Sequence, residues 1–409
     1  MLSKNRIFTY IFLFMLFPGQ MLSCEFVKFI DEFAMLLLFV LAALDYYQNR
    51  LSTVLRLKPL WVLLGIGFFY TVYSVAFVHF NTPVYVLVDL VSQIKPFATF
   101  ILIYCLDLQL TQKGKEIARY FCILNAFFLL VFFIIGRGDV ILPFGHIFYY
   151  GGIMFLSALV FLFCSIDQEG KVSQKDLLIV MSILVFGLLC TRAKYYGEFL
   201  ITVVVLFVYR PGLFSKLNFK IVISGILGFI LLLAIAWNKI SYYFIEGASD
   251  IMNGADLEEM SEAFARPVLF YAGGLILLDY FPFGSGFASF ASNASATSYS
   301  NLYYDYGLNH VYGLSPSYPH FIADAYYPTL CQFGIVGIAL FIFYWYWTLS
   351  KVNRLSNELK DSYRYQFIIG FAILGFALIE SVGSTLFIQG VGLQISMLLA
   401  LLITSYERR

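Results

Sequence analysis

Long apolar runs separated by short polar connectors make up most of this chain. Runs long enough to cross about 30 Å of hydrocarbon fall near 6–22, 33–47, 59–78, 84–105, 117–136 and 147–166. Further runs fall near 177–191, 196–209, 220–237, 324–348, 366–386 and 388–405. The pattern predicts an all-α integral membrane protein of about twelve transmembrane helices, in the range of about 11–13. One stretch breaks the rhythm. Residues 1–237 hold the first nine spans, 238–323 form one large loop expected to contain short helices, and 324–409 hold the last three spans.

Composition and charge sharpen this picture. The chain is 61% hydrophobic and only 12% charged, with a mean hydropathy of +0.82, where soluble domains carry about 25% charged residues. No soluble fold of this size would hide so much apolar surface. With the N-terminus inside, alternate connectors and tails carry Lys4, Arg6, Arg50, Arg56, Lys58, Lys113, Lys115, Arg119, Lys171 and Lys175. They also carry Arg210, Lys216, Lys220, Lys351, Arg354, Lys360, Arg364, Arg408 and Arg409. Elsewhere lie only Lys28, Lys95, Arg137, Arg192, Lys194, Lys239 and Arg266. The positive-inside rule then puts both termini in the cytoplasm and the large loop on the non-cytoplasmic side.

Lys4 and Arg6 before an apolar run, followed by Ser23-Cys24, have the look of a signal peptide. An uncleaved first helix is the expectation, because an even number of spans keeps every basic connector on one side. The six cysteines show no paired spacing and predict neither a disulfide framework nor a metal site. No internal repeat is evident, unlike many transporters.

The loop reads in three parts. Residues 246–262 are acidic. Ala263–Tyr280 is apolar but short for a span, which predicts a re-entrant or interfacial helix. Pro282-Phe283-Gly284-Ser285-Gly286-Phe287 predicts a tight turn, and a Tyr-rich stretch follows from Ser300 to Tyr327. Its tyrosines, Tyr303, Tyr304, Tyr306, Tyr312, Tyr318, Tyr326 and Tyr327, fit either an interfacial belt or a platform that stacks on sugar faces.

Three pieces of sequence together resemble one family. Thr191-Arg192-Ala193 looks like the Ser/Thr-Arg-Gly/Ala element of the O-antigen ligase and polymerase superfamily of bacterial surface polysaccharide biosynthesis. Arg266 to Phe290 is similar to that family's loop pattern, an Arg, an amphipathic helix, then Pro-x-Gly-x-Gly. Pro319-His320, followed by Ala325–Gly337, resembles its His-led approach to the next helix with paired glycines. Ligases commonly follow the His with Asn, whereas Phe321 stands here, so the Wzy-type O-antigen polymerase is the better match. The resemblance implies a GT-C-like fold. It also implies a lipopolysaccharide or capsule glycan carried on undecaprenyl diphosphate as both donor and acceptor, with no nucleotide sugar. A chain-length regulator and a flippase are the protein partners it suggests; nucleic acid is not expected.

The residues support such chemistry on their own terms. A glycan leaving a lipid diphosphate develops negative charge on the leaving group, which fixed cations stabilise. Arginine stays charged and grips phosphate oxygens with a planar fork. Arg192 and Arg266 are the candidates, with Lys194 as an auxiliary; the plainer readings are a snorkelling anchor and a salt bridge. Glu198 lies inside an apolar helix, where a carboxylate is functional by default or pairs with Arg192 or Lys194. Glu380 and Lys95 raise the same question. The acceptor hydroxyl needs a base, and histidine suits it. His320 is the first candidate, His310 the reserve, and Asp324 its orienting partner or replacement; Tyr318 and Tyr326 are candidate sugar contacts. His79 and His146 read as structural.

No acidic pair with metal-ligand spacing is apparent; whether Asp279, Asp305 and Asp324 converge is not legible from their spacing. No phosphate-binding nucleotide motif is present. A metal-independent glycosyltransferase without cofactor is therefore expected. Two alternatives stand beside the polymerase. A ligase would deliver the glycan to lipid A-core, and a lipid-linked oligosaccharide flippase would concentrate its charges inside the bundle.

Overall fold

The computed structural model describes residues 3–21, 29–49, 51–136, 147–210, 237, 241, 245–252 and 261–407. Among them all regular structure is helical, and no strand occurs. The expected ninth span at 220–237 and His146 lie outside the described residues, apart from Trp237 itself.

Eleven of the longer helices follow the apolar runs. They are α1 (Lys4–Leu16), α2 (Ile30–Asn49), α3 (Lys58–Tyr73), α4 (Pro83–Leu106), α5 (Gln112–Ile135), α6 (Ile147–Cys164), α7 (Gln174–Gly187) and α8 (Ala193–Val208). After α9 (Ser261–Asp279) in the loop come α10 (Gly334–Leu359), α11 (Arg364–Glu380) and α12 (Gly390–Glu407). Ser3, Thr111 and Ser173 cap α1, α5 and α7 by accepting a backbone N–H with their hydroxyls. By length and composition, Lys58–Val78, Pro83–Leu106, Gln112–Ile135 and the helical stretch Tyr327–Glu380 qualify to cross a membrane. The apolar helices Tyr149–Cys164 and Gly390–Ser405 are shorter.

Helices α6 and α12 form the centre. Their residues are buried almost all round, from Tyr150 to Phe163 and from Val391 to Ile403, as expected of helices without a polar face. Helix α12 packs on α4 and α6, and α8 packs on α11, where Gly197 and Gly375 let Ile379 and Ile201 approach. At one end of the bundle, Asp45 accepts from Arg56 at 2.7 Å and Lys4 donates to the carbonyl of Leu106 at 2.8 Å. At the other end of α4, about 36 Å away at 1.5 Å per residue, Asn81 donates to the carbonyls of Ala288 and Ser298 at 2.9 and 2.7 Å.

The loop is folded around its own small core. Helix α9 buries Ala265, Val268, Leu269, Ala272 and Ile276 against Phe290, Leu302, Tyr303, Leu308, Val311 and Ile322. Its apolar face is thus spent inside the loop. The turn at 282–287 docks onto α3 and α4. Ser74 accepts the Phe287 N–H at 2.8 Å, and the buried carboxylate of Asp89 accepts the Ala288 N–H at 2.7 Å. Gly284 and Gly334 meet back to back with φ of +79° and +60°. A Cβ on Gly284 would overlap the backbone of Cys331 and Gly334.

One boundary moves. The run at 324–348 predicts a span beginning near Asp324, yet α10 begins ten residues later, at Gly334. Tyr327–Phe333 forms a 3-10 turn with Pro328 near its start. The N–H groups of Tyr326 and Tyr327 are drawn sideways onto the carbonyl of Ser381, at 3.0 and 3.2 Å, instead of into an α-helix. Apolar composition alone does not separate this packed turn from a span.

Candidate functional site

A cavity of about 370 Å³ opens where the loop meets the bundle, and Arg192, Arg266, His320 and Asp324 all line it. Four pieces of chain bring them together. Helix α7 ends in a tight turn with Thr191 in the left-handed region (φ +51°), and this places Arg192 at the N-cap of α8. Helix α9 supplies Arg266, anchored by the buried neighbours Ala265, Val268 and Leu269. Turns ahead of α10 carry His320 and Asp324. The fourth wall is the break between α11 and α12, a turn followed by a short 3-10 helix at Leu386–Ile388, which gives Ser384, Thr385 and Gln389.

Arg266 donates from Nε to Asp324 Oδ2 at 2.6 Å, and its Nη2 also reaches that oxygen. Beneath, Lys194 Nζ lies 2.5 Å from Glu380 Oε2 and donates to the carbonyl of Gly383 at 2.9 Å. A Cβ built on Gly383 would lie 3.7 Å from Lys194 Cδ and 4.0 Å from Arg266 Cζ, so the two cations flank this glycine. Glu198, one helical turn beyond Lys194 on α8, is buried at 2% exposure, and its Oε1 has no hydrogen-bond partner. Isolated charges are too costly to bury in an apolar span, and the Lys194–Glu380 pair gives both of its members a reason to be there. Lys95 is explained in the same way: it pairs with Asp31 and lies 2.6 Å from Glu32 Oε1, away from the cavity lining.

The floor is a chain of neutral hydrogen bonds. Tyr149 donates to Gln389 Oε1, Gln389 donates to Thr385 Oγ1 at 3.0 Å, and Thr385 donates to the carbonyl of Ala323 at 3.1 Å. With Asn293 these groups make a polar lining that suits a ligand rich in hydroxyls and phosphate oxygens. At the rim, Tyr318 stacks on His320 at 5.4 Å and 16° and meets Tyr312 at 5.2 Å.

The tyrosines divide between the two readings. Tyr303 is fully buried, accepting the Ala291 N–H at 2.8 Å. Tyr326 is also buried, packed on Phe341 and Phe387, so it builds a wall and does not line the cavity. Tyr312 and Tyr318, at 40% and 42% exposure, do not line the cavity themselves but pack on Phe321 and His320, which do. His310 is exposed on a separate turn and does not line the cavity either. Among the described residues, no group of three or more His, Cys, Asp or Glu converges as a metal site, and Asp279 instead accepts from Tyr306 at 2.6 Å.

Reasoning from sequence missed Tyr149, Asn293, Ser384, Thr385 and Gln389. A signal was there for three of them: Ser381-Val382-Gly383-Ser384-Thr385 and Gln389 interrupt two apolar runs that otherwise almost touch. Non-helical backbone beside a membrane core is tolerated where it lines a cavity.

A second cavity, of about 360 Å³, lies between α3, α4 and α10 and is walled by apolar side chains such as Ile66, Phe97 and Phe341, with no charged lining residue. No protein-family model matches the chain, and no curated protein matches its sequence.

Proposed function

We propose that the protein is a membrane glycosyltransferase that polymerises a bacterial surface polysaccharide, O-antigen or capsule. In this reading it transfers a growing undecaprenyl-diphosphate-linked glycan onto an incoming lipid-linked repeat unit, at the periplasmic face of the inner membrane. The bundle would comprise about twelve spans in a GT-C-like arrangement, with both termini cytoplasmic.

The observation that carries the proposal is the convergence of Arg192, Arg266 and His320 on one polar cavity from three distant parts of the chain. The guanidinium groups would hold the diphosphate and stabilise the charge it gains as the glycosidic bond breaks. Lys194 would add positive potential from below. His320 would take the proton of the acceptor hydroxyl. Tyr318 and Tyr312, at the rim, would meet the C–H face of a sugar. Phe321 lines the cavity at the position where ligases commonly have Asn, which favours the polymerase over the ligase.

Arg192→Ala, Arg266→Ala and His320→Ala, each expressed in a strain that depends on this protein for polymer, test the assignment. Each is expected to abolish the ladder of chain lengths while the protein still inserts. A normal ladder from any variant removes that residue from the site.

A further inference from the structure

We propose that Asp324 occupies the place of the diphosphate on Arg266 in the unliganded site, and leaves it for His320 when the diphosphate binds. The inference rests on the diphosphate reading above and adds an order of events to it.

One carboxylate oxygen, Asp324 Oδ2, takes hydrogen bonds from both Nε and Nη2 of Arg266. That edge is one of the two forks with which a guanidinium grips phosphate oxygens. A diphosphate that takes this fork must compete with Asp324 for Arg266. It brings more charge and more acceptor oxygens than a carboxylate, and prevails.

The exchange needs little movement. Arg266 is fixed by a helix whose core face is buried. The peptide group that leads into Asp324 is held by both of its polar atoms, since its N–H donates to the Phe321 carbonyl at 3.2 Å and the Ala323 carbonyl accepts from Thr385 at 3.1 Å. In the proposed exchange only the Asp324 side chain rotates, within the cavity that both it and His320 line. Once released, the carboxylate is repelled by the diphosphate and stays in a cavity whose lining includes one imidazole, that of His320. There it stabilises the imidazolium formed during transfer.

The acceptor O–H gives its proton to His320, and its oxygen forms the new bond to the anomeric carbon. The bond from that carbon to the diphosphate breaks, and the electron pair leaves with the diphosphate. His320 then returns the proton to water. Donor binding thus precedes full activation of the acceptor, because Asp324 becomes available only after Arg266 has been taken.

Asp324→Asn is isosteric and removes the competing charge. Farnesyl diphosphate is the probe, titrated calorimetrically into the purified full-length protein in detergent. If about a tenth of unliganded molecules have Arg266 available, the variant binds about tenfold more tightly than wild type. With lipid-linked substrate the variant shows a lower KM together with a kcat reduced about a hundredfold, a split that a purely structural salt bridge does not produce. Arg266→Ala abolishes the gain in the Asp324→Asn background. Equal or weaker probe binding by Asp324→Asn overturns the exchange, even if wild type polymerises glycan. Tighter binding supports it, even if wild type forms no polymer and the glycosyltransferase reading falls.

Discussion

Lys194 and Gly383, 189 residues apart in the chain, are joined by a 2.9 Å hydrogen bond from the lysine ammonium to the glycine carbonyl. The same ammonium pairs with Glu380 at the end of α11. One side chain from α8 thus holds open the break between two apolar helices, and that break supplies one wall of the cavity. The lysine's charge is structural first and brings positive potential to the site second.

Breaking this pair should therefore be expensive. Lys194→Met leaves Glu380 buried without its partner and is expected to destabilise the protein by about 3–5 kcal/mol. Unfolding in mixed micelles measures it. Lys194→Met/Glu380→Gln should regain most of the loss, and a single variant as stable as wild type would contradict the pairing.

The back-to-back glycines make a second expectation. Gly284→Ala must move the backbone at Cys331 or Gly334, so polymer formation should fall and the 281–301 region should become sensitive to protease. Gly274→Ala is the control, since nothing lies within 4 Å of its added Cβ on α9. It is expected to be neutral or to stabilise by up to about 1 kcal/mol. Protection of Gly284→Ala equal to wild type would refute the close approach.

Asp89 should act as the latch between α4 and the loop. Asp89→Ala removes the acceptor of the Ala288 N–H and should cost about 1–3 kcal/mol. Hydrogen exchange at Ala288 is the readout, and faster exchange is expected. Asp89→Asn, which keeps an acceptor oxygen, should exchange more slowly than the alanine variant.

Tyr306 gives a pH dependence. Burial, and then its hydrogen bond to Asp279, push its phenol above the usual value. The folded state therefore holds this proton at pH values where the unfolded chain releases it. The contribution is fully present below about pH 10, the unfolded value, and is lost as pH rises beyond it. Tyr306→Phe should make the alkaline fall in stability shallower. A steeper or unchanged fall would contradict the assignment.

Much of this was legible in the sequence. Apolar runs marked the helices because a hydrocarbon slab imposes length and composition on whatever crosses it. Arg192, Arg266, His320 and Asp324 stood out as polar residues next to such runs, and they share one cavity. Tyr326 and the run at 324–333 were misleading, because a packed turn is as apolar as a span. The partners of Lys194 and Lys95 were hidden for another reason. Glu380 and Asp31 lie far away in sequence, and no local periodicity reports a pairing made by tertiary packing.

The most direct measurement is reconstitution. Purified protein in liposomes receives an undecaprenyl-diphosphate-linked repeat unit as sole substrate, and the products are separated by size. A ladder of repeat lengths, lost with Arg266→Ala and His320→Ala, is the predicted result. Glycan transfer only when lipid A-core is added would indicate a ligase, and unchanged substrate under both conditions would contradict glycosyl transfer at this cavity.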